Sequence, residues 1–207
     1  MICWQSDVDP KELDRLLDTL APIVRDEILK DFAPDCCIAT AAILGRVFRH
    51  FHFDTTPIPV YVNIFNAAYL KLRRMGVPFP DDPAELRELM DRTGASAVTI
   101  AESGHPGKWP GHMLVLVQDV LVDASLDFCN RPEHSITIPP FMTTPARPTF
   151  LKYRSQLAST VNACEIVYRR SHDYSWRSAP DWTNESRARR AVNAIIGRVD
   201  SSRRRRA

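Results

Sequence analysis

The 207-residue chain has no apolar run approaching the roughly 18 residues that a membrane-spanning helix needs. A secretory signal is not expected, because the N-terminal stretch MICWQSDVDPKELDRLL turns acidic and amphipathic at once. Cysteine is sparse: Cys3, Cys36, Cys37, Cys129 and Cys164 are odd in number, scattered, and form no Cys-x-x-Cys pair. That pattern argues against a disulfide framework and a zinc knuckle, and in the cytoplasm, the expected location, all five would be thiols. There is no G-x-S-x-G nucleophile elbow and no H-E-x-x-H metal motif. No metal and no cofactor are expected. Glycine is scarce as well, yet three of the seven fall within positions 104–111. A strand rather than a helix should follow them, which fits a loop near a functional site better than a phosphate cradle.

Charge is balanced overall but not locally. Residues 187–207 carry eight Arg against one Asp, net +7, which leaves −5 for residues 1–186 of a chain whose total is +2. The expected organisation is one domain over 1–199, with its catalytic core at about 35–128, followed by a disordered basic tail over 200–207. Contact with nucleic acid is expected only through that tail, since no RNA-binding aromatic pattern or helix-turn-helix spacing occurs. No membrane partner is expected.

Asp9-Pro10 opens a helix carrying Leu13, Leu16, Leu17 and Leu20, and Pro22 restarts a second one ending near Phe32. Asp35 is the expected cap of a third helix from Cys36 to about His50. Its small residues Ala39, Thr40, Ala41, Ala42 and Gly45 make it a closely packed central helix. A β-rich run covers 60–65. Helices follow over about 67–75, stopped by Gly76, and from Asp82-Pro83 to Met90. Residues 98–101 read as a strand. Residues 113–117 form a buried strand behind His112, turned at Gln118-Asp119, and 120–122 return antiparallel in the middle of the sheet. The proline-rich stretch 129–149 shows no period and reads as irregular, 161–169 reads as a last strand, and Thr183 or Asn184 caps a terminal helix over 185–199. The class is α+β: a central helix packed on an antiparallel sheet, with N-terminal and C-terminal helices.

Three elements carry chemistry. Asp35-Cys36-Cys37-Ile38-Ala39-Thr40 places a thiol in the first turn of a helix, where free N–H groups and the helix dipole favour a thiolate and offer part of an oxyanion hole. Cys37 is preferred as nucleophile because Ala41, Leu44 and Phe48 continue its buried face; Cys36 is the reserve. Trp109-Pro110-Gly111-His112 sets a histidine at the mouth of a core strand. Leu121-Val122-Asp123-Ala124-Ser125-Leu126-Asp127 closes the returning strand, so Asp123, with Asp127 in reserve, lies at the same end of the hairpin as His112 and can steady its ring.

The order Cys, His, Asp on helix start, strand start and adjacent strand end resembles that of the papain/transglutaminase superfamily. Asp35 to Ala41, Gly111-His112-Met113-Leu114-Val115 and Leu121 to Leu126 are similar to the three core motifs of transglutaminase-like and arylamine N-acetyltransferase-like enzymes. The resemblance implies that Cys37 attacks an acyl carbon, His112 relays the proton and Asp123 orients His112, with Trp109 and Gly111 on the substrate side. The expected activity is thiol-dependent acyl transfer at an amide bond of a peptide or protein, first as a peptidase or amidase. Transglutaminase-type or N-acyltransferase chemistry is one alternative; a non-catalytic binding protein using the basic tail is another.

Overall fold

The computed structural model describes residues 10–100, 109, 111–152 and 156–205. Cys3, the Asp9 cap, most of the glycine-rich loop and the last two tail residues lie outside these. Leucine-rich spacing gives α1 (Pro10–Leu20) and α2 (Val24–Leu29) as amphipathic helices, and the long central helix α3 (Cys37–His50) follows. Ala39, Ala41, Ala42 and Gly45 of α3 are buried. A Cβ added at Gly45 would come within 3.3 Å of Thr55 Oγ1, so the small residues let the helix lie close to the strand after it.

That strand, β1 (Thr55–Phe65), is the spine of an antiparallel seven-stranded sheet. After β1 come α4 (Ala67–Arg74), α5 (Pro83–Thr93), β2 (Ala97–Ile100), β3 (His112–Val117) and β4 (Val120–Asp123). The remaining elements are β5 (Met142–Pro145), α6 (Pro148–Lys152), β6 (Gln156–Val161), β7 (Cys164–Arg170), α7 (Pro180–Thr183) and α8 (Glu185–Arg204). The strands lie in the order β5-β4-β3-β1-β7-β6, with β2 beside the second half of β1.

β1 begins five residues before the expected run and passes through Pro57 and Pro59, which normally exclude a strand interior. Its first half pairs with β3 from Thr55 to Val60, whereas pairing with β7 starts only at Val60. Pro57 and Pro59 share one parity, so both missing N–H groups fall on one side of β1. There the strand has no ladder to feed.

α3 covers one face of the sheet. Fourteen residues span about 21 Å as a helix and the six of β3 about 20 Å as a strand, so the helix runs the length of β3. Its buried side chains share a core with Met113, Val115, Val117, Val122 and Ala124, together with α1, α2 and α8. The alternate residues Leu114 and Leu121 belong to a second core with Val60, Val62, Ile64, Ile166 and Tyr168, roofed by Leu126, Ile136, Ile138 and Phe150.

The structure corrects the sequence reading in four places. Cys36, not Asp35, occupies the N-cap of α3, and its side chain makes no capping bond. The stretch 129–149 contains β5, paired with β4. The expected last strand over 161–169 is β7, beginning only at Cys164, and it is the second arm of a hairpin whose first arm, β6, was not expected, turned at Asn162 and Ala163 with φ of 46° and 63°. Finally, the segment assigned to a disordered tail is helical as far as Arg204. The helix seats its buried Ala188, Ala191, Val192, Ile195 and Val199 on the core, and its arginines then meet acids of α1, α2 and the turn after them: Arg190 pairs with Asp31, Arg198 with Glu27 and Arg203 with Glu12. Glu27 also holds Lys30 at 2.6 Å, which keeps its carboxyl below the usual range against the opposing effect of burial. Among the described residues no helix is long and apolar enough to cross a membrane.

Candidate active site

Cys37 is the first helical residue of α3, so its N–H is one of the helix-start donors with no partner inside the helix. The side chain is buried, and its sulfur lies 3.9 Å from the carbonyl oxygen of Gly111, the residue just before β3. The helix tip and the strand mouth therefore meet, as the matched lengths of α3 and β3 require.

His112 opens β3 with no exposed surface. Its Nε2 lies 2.8 Å from Asp123 Oδ2, in an ion pair buried on both sides. The ladder runs Val115 to Val122, which sets Leu114 opposite Asp123 and places His112 one diagonal step away on the same face. Asp123 is itself held: Ser125 N–H donates to Oδ1 at 3.2 Å, and the Tyr168 hydroxyl donates to Oδ2 at 3.3 Å. Burial works against charging His112, but the charge and hydrogen bond of Asp123, aided by the Cys37 sulfur, outweigh it and push its pKa up to about 10. That balance favours the charged form of the ring. Its other nitrogen, Nδ1, is buried and has no hydrogen-bond partner among the described residues. A histidine ring held by a buried carboxylate near a thiol sets a proton carrier next to a nucleophile.

The two reserve residues go elsewhere. Cys36 Sγ sits 3.6 Å from the Thr40 hydroxyl and 3.9 Å from Arg25 Nη1, and burial pushes its thiol pKa up. Asp127 faces Arg25, with Nε to Oδ2 at 3.0 Å and Nη2 to Oδ1 at 2.8 Å. So His112 pairs with Asp123 and the Cys37 sulfur lies by Gly111 at the mouth of the same strand, while Cys36 and Asp127 share a guanidinium.

Trp109 and Gly111 also stand at this mouth. A Cβ on Gly111 would lie 2.5 Å from the Trp109 ring, so only glycine lets the indole fold over the strand entrance. Of the loop that precedes them, residues 101–108 and Pro110 lie outside the described residues. Tyr168 and Arg25 were missed from sequence. Tyr168 passes for an ordinary strand aromatic, and Arg25 sits between Val24 and Asp26 in a short helix whose other charges, Asp26 and Glu27, give it no distinction.

A separate hollow of about 480 Å³ is lined by Leu86, Met90 and Ala95 with Arg87, Asp91 and His134, and shares no residue with this grouping. Among the described residues no three His, Cys, Asp or Glu side chains gather to hold a metal ion. No protein-family model, no curated protein and no solved structure matches the chain.

Proposed function

We propose that the chain is a thiol-dependent acyl-transfer enzyme acting on amide bonds, built on a papain/transglutaminase-like arrangement, with water as the first-choice acceptor. The observation that carries the reading is the wholly buried His112, bonded at 2.8 Å to Asp123 and influenced by the sulfur of Cys37. The Cys37 thiolate attacks the amide carbonyl, and the backbone N–H groups at the tip of α3 receive the developing oxyanion. The C–N bond breaks as His112 gives its proton to the departing amine, which leaves a thioester. Water then adds to the thioester with neutral His112 as base, and the acid departs as the thiolate and imidazolium are restored. Asp123 holds the ring in the orientation both steps need. An amine in place of water gives transglutaminase-type transfer through the same intermediate.

A thiol-reactive probe tests this. Iodoacetamide should modify Cys37 at neutral pH well ahead of Cys36, and His112→Ala should slow that reaction strongly. Equal, slow modification of both cysteines, indifferent to His112→Ala, removes the enzyme reading.

A further inference from the structure

Arg25 projects from α2 with only 4% of its surface exposed, and each of its three nitrogens has a partner. Nε donates to Asp127 Oδ2 at 3.0 Å, Nη2 donates to the Pro34 carbonyl at 2.7 Å and lies 2.8 Å from Asp127 Oδ1 as an ion-pair contact, and Nη1 reaches Cys36 Sγ. Pro34 and Cys36 belong to the short link that ends at the tip of α3. Asp127 lies four residues beyond Asp123, in the short 3-10 turn Leu126–Cys129. These two segments are 91 residues apart in sequence, counting from Cys36 to Asp127, and one guanidinium ties them together.

We infer that Arg25 is a positioning residue that fixes the link leading into Cys37 against the turn that follows Asp123, and so sets the alignment of sulfur, imidazole and carboxylate. The inference rests on the acyl-transfer reading of the same site. Its physical basis is the forked geometry of a guanidinium, which binds a carboxylate and a carbonyl at fixed angles; an ammonium carries the same charge without that fork. Only Arg spans all three partners at once. The charge is also matched within the site, because Asp127 neutralises it, so its contribution is geometric before it is electrostatic.

The test compares wild type, Arg25→Lys and the double variant Arg25→Met/Asp127→Asn. The double variant removes both members of the buried pair and leaves no lone charge, so it folds where Arg25→Met alone can fail. For each folded protein, the rate of Cys37 modification by iodoacetamide is followed against pH, with the modified cysteine identified by peptide fragmentation, and the melting temperature is recorded. The expected result is a rate lower by about 10- to 100-fold in both variants, with a rate–pH profile that differs from wild type, even where the melting temperature is near wild type. Variants that modify Cys37 at the wild-type rate with the wild-type pH profile overturn the inference and leave acyl transfer standing. A wild-type Cys37 no faster than an ordinary exposed thiol overturns both together.

Discussion

Replacing Asp123 with Asn removes one negative charge and nearly nothing else. The amide keeps the carboxylate's shape, and its oxygen can still accept from Ser125 N–H or the Tyr168 hydroxyl, as Asp123 does. What is lost is the partner that makes a buried imidazolium tolerable. With that charge present His112 titrates at about 10, against an ordinary 6.5. At about 1.4 kcal/mol per pKa unit, the separation corresponds to a preference on the order of 5 kcal/mol for the charged ring. Without Asp123 burial dominates, and the pKa of His112 should fall below 6.5. The sign for stability follows. The folded-state value lies above the unfolded one, so the stabilisation is complete below pH 6.5 and is lost as the pH rises through about 10. Wild type should therefore lose stability from neutral to alkaline pH, and Asp123→Asn should lack that slope. The assay is NMR titration of the histidine ring protons, with His112 assigned by its loss in His112→Gln, alongside denaturant unfolding at several pH values. A wild-type His112 that titrates near 6.5, or a value unmoved by Asp123→Asn, refutes the electrostatic reasoning. Iodoacetamide modification of Cys37 at neutral pH should slow in the same variant.

Other perturbations read other parts of the structure. Tyr168→Phe deletes one donor to Asp123 and should cost about 1–2 kcal/mol of stability in denaturant unfolding. Gly111→Ala drives a methyl into the Trp109 ring and should cost about 1–3 kcal/mol, partly recovered in a Trp109→Ala background, as a double-mutant cycle of unfolding free energies would show. Glu27→Gln removes the anion that holds Lys30 and Arg198 and should lower stability at neutral pH by about 1–3 kcal/mol. Because the Glu27 carboxyl is held below its usual value, the difference from wild type should vanish as acid protonates it, which melting curves against pH would reveal.

Much of the candidate site was legible because its three residues sit at element boundaries that local chemistry marks. Cys37 follows a proline-aspartate turn and begins a run of small helix formers; His112 and Asp123 bracket a hairpin whose turn is written in Gln118-Asp119. Two features hid the rest. Asn162-Ala163 makes a two-residue turn with positive φ at both positions, yet Ala stands where glycine normally announces that turn, so the hairpin read as one strand. The residues that hold the site in place, Arg25 and Tyr168, reach it from α2 and β7 across contacts more than 40 residues distant in sequence, Tyr168 to Asp123 among them. No local pattern encodes such contacts.

The uneven charge of the sequence has its explanation in the same long-range order. A run of arginines at the C-terminal end, taken alone, is too polar to fold and reads as a tail that seeks a polyanion. Ala188, Ala191, Val192, Ile195 and Val199 supply the apolar stripe that a tail would lack, and all five are buried. Once that stripe seats α8 on the core, its arginines arrive opposite Asp31, Glu27 and Glu12, so the basic helix answers the acidic α1, α2 and the turn after them within one molecule. The exposed pairs to Asp31 and Glu12 contribute about 0–1 kcal/mol each, the pair to buried Glu27 more, and the buried stripe does most of the docking. Charge then sets which way round the helix lies. The consequence reaches the site: Arg25, which ties the link before Cys37 to the turn after Asp123, stands on the same α2 that α8 braces through Glu27.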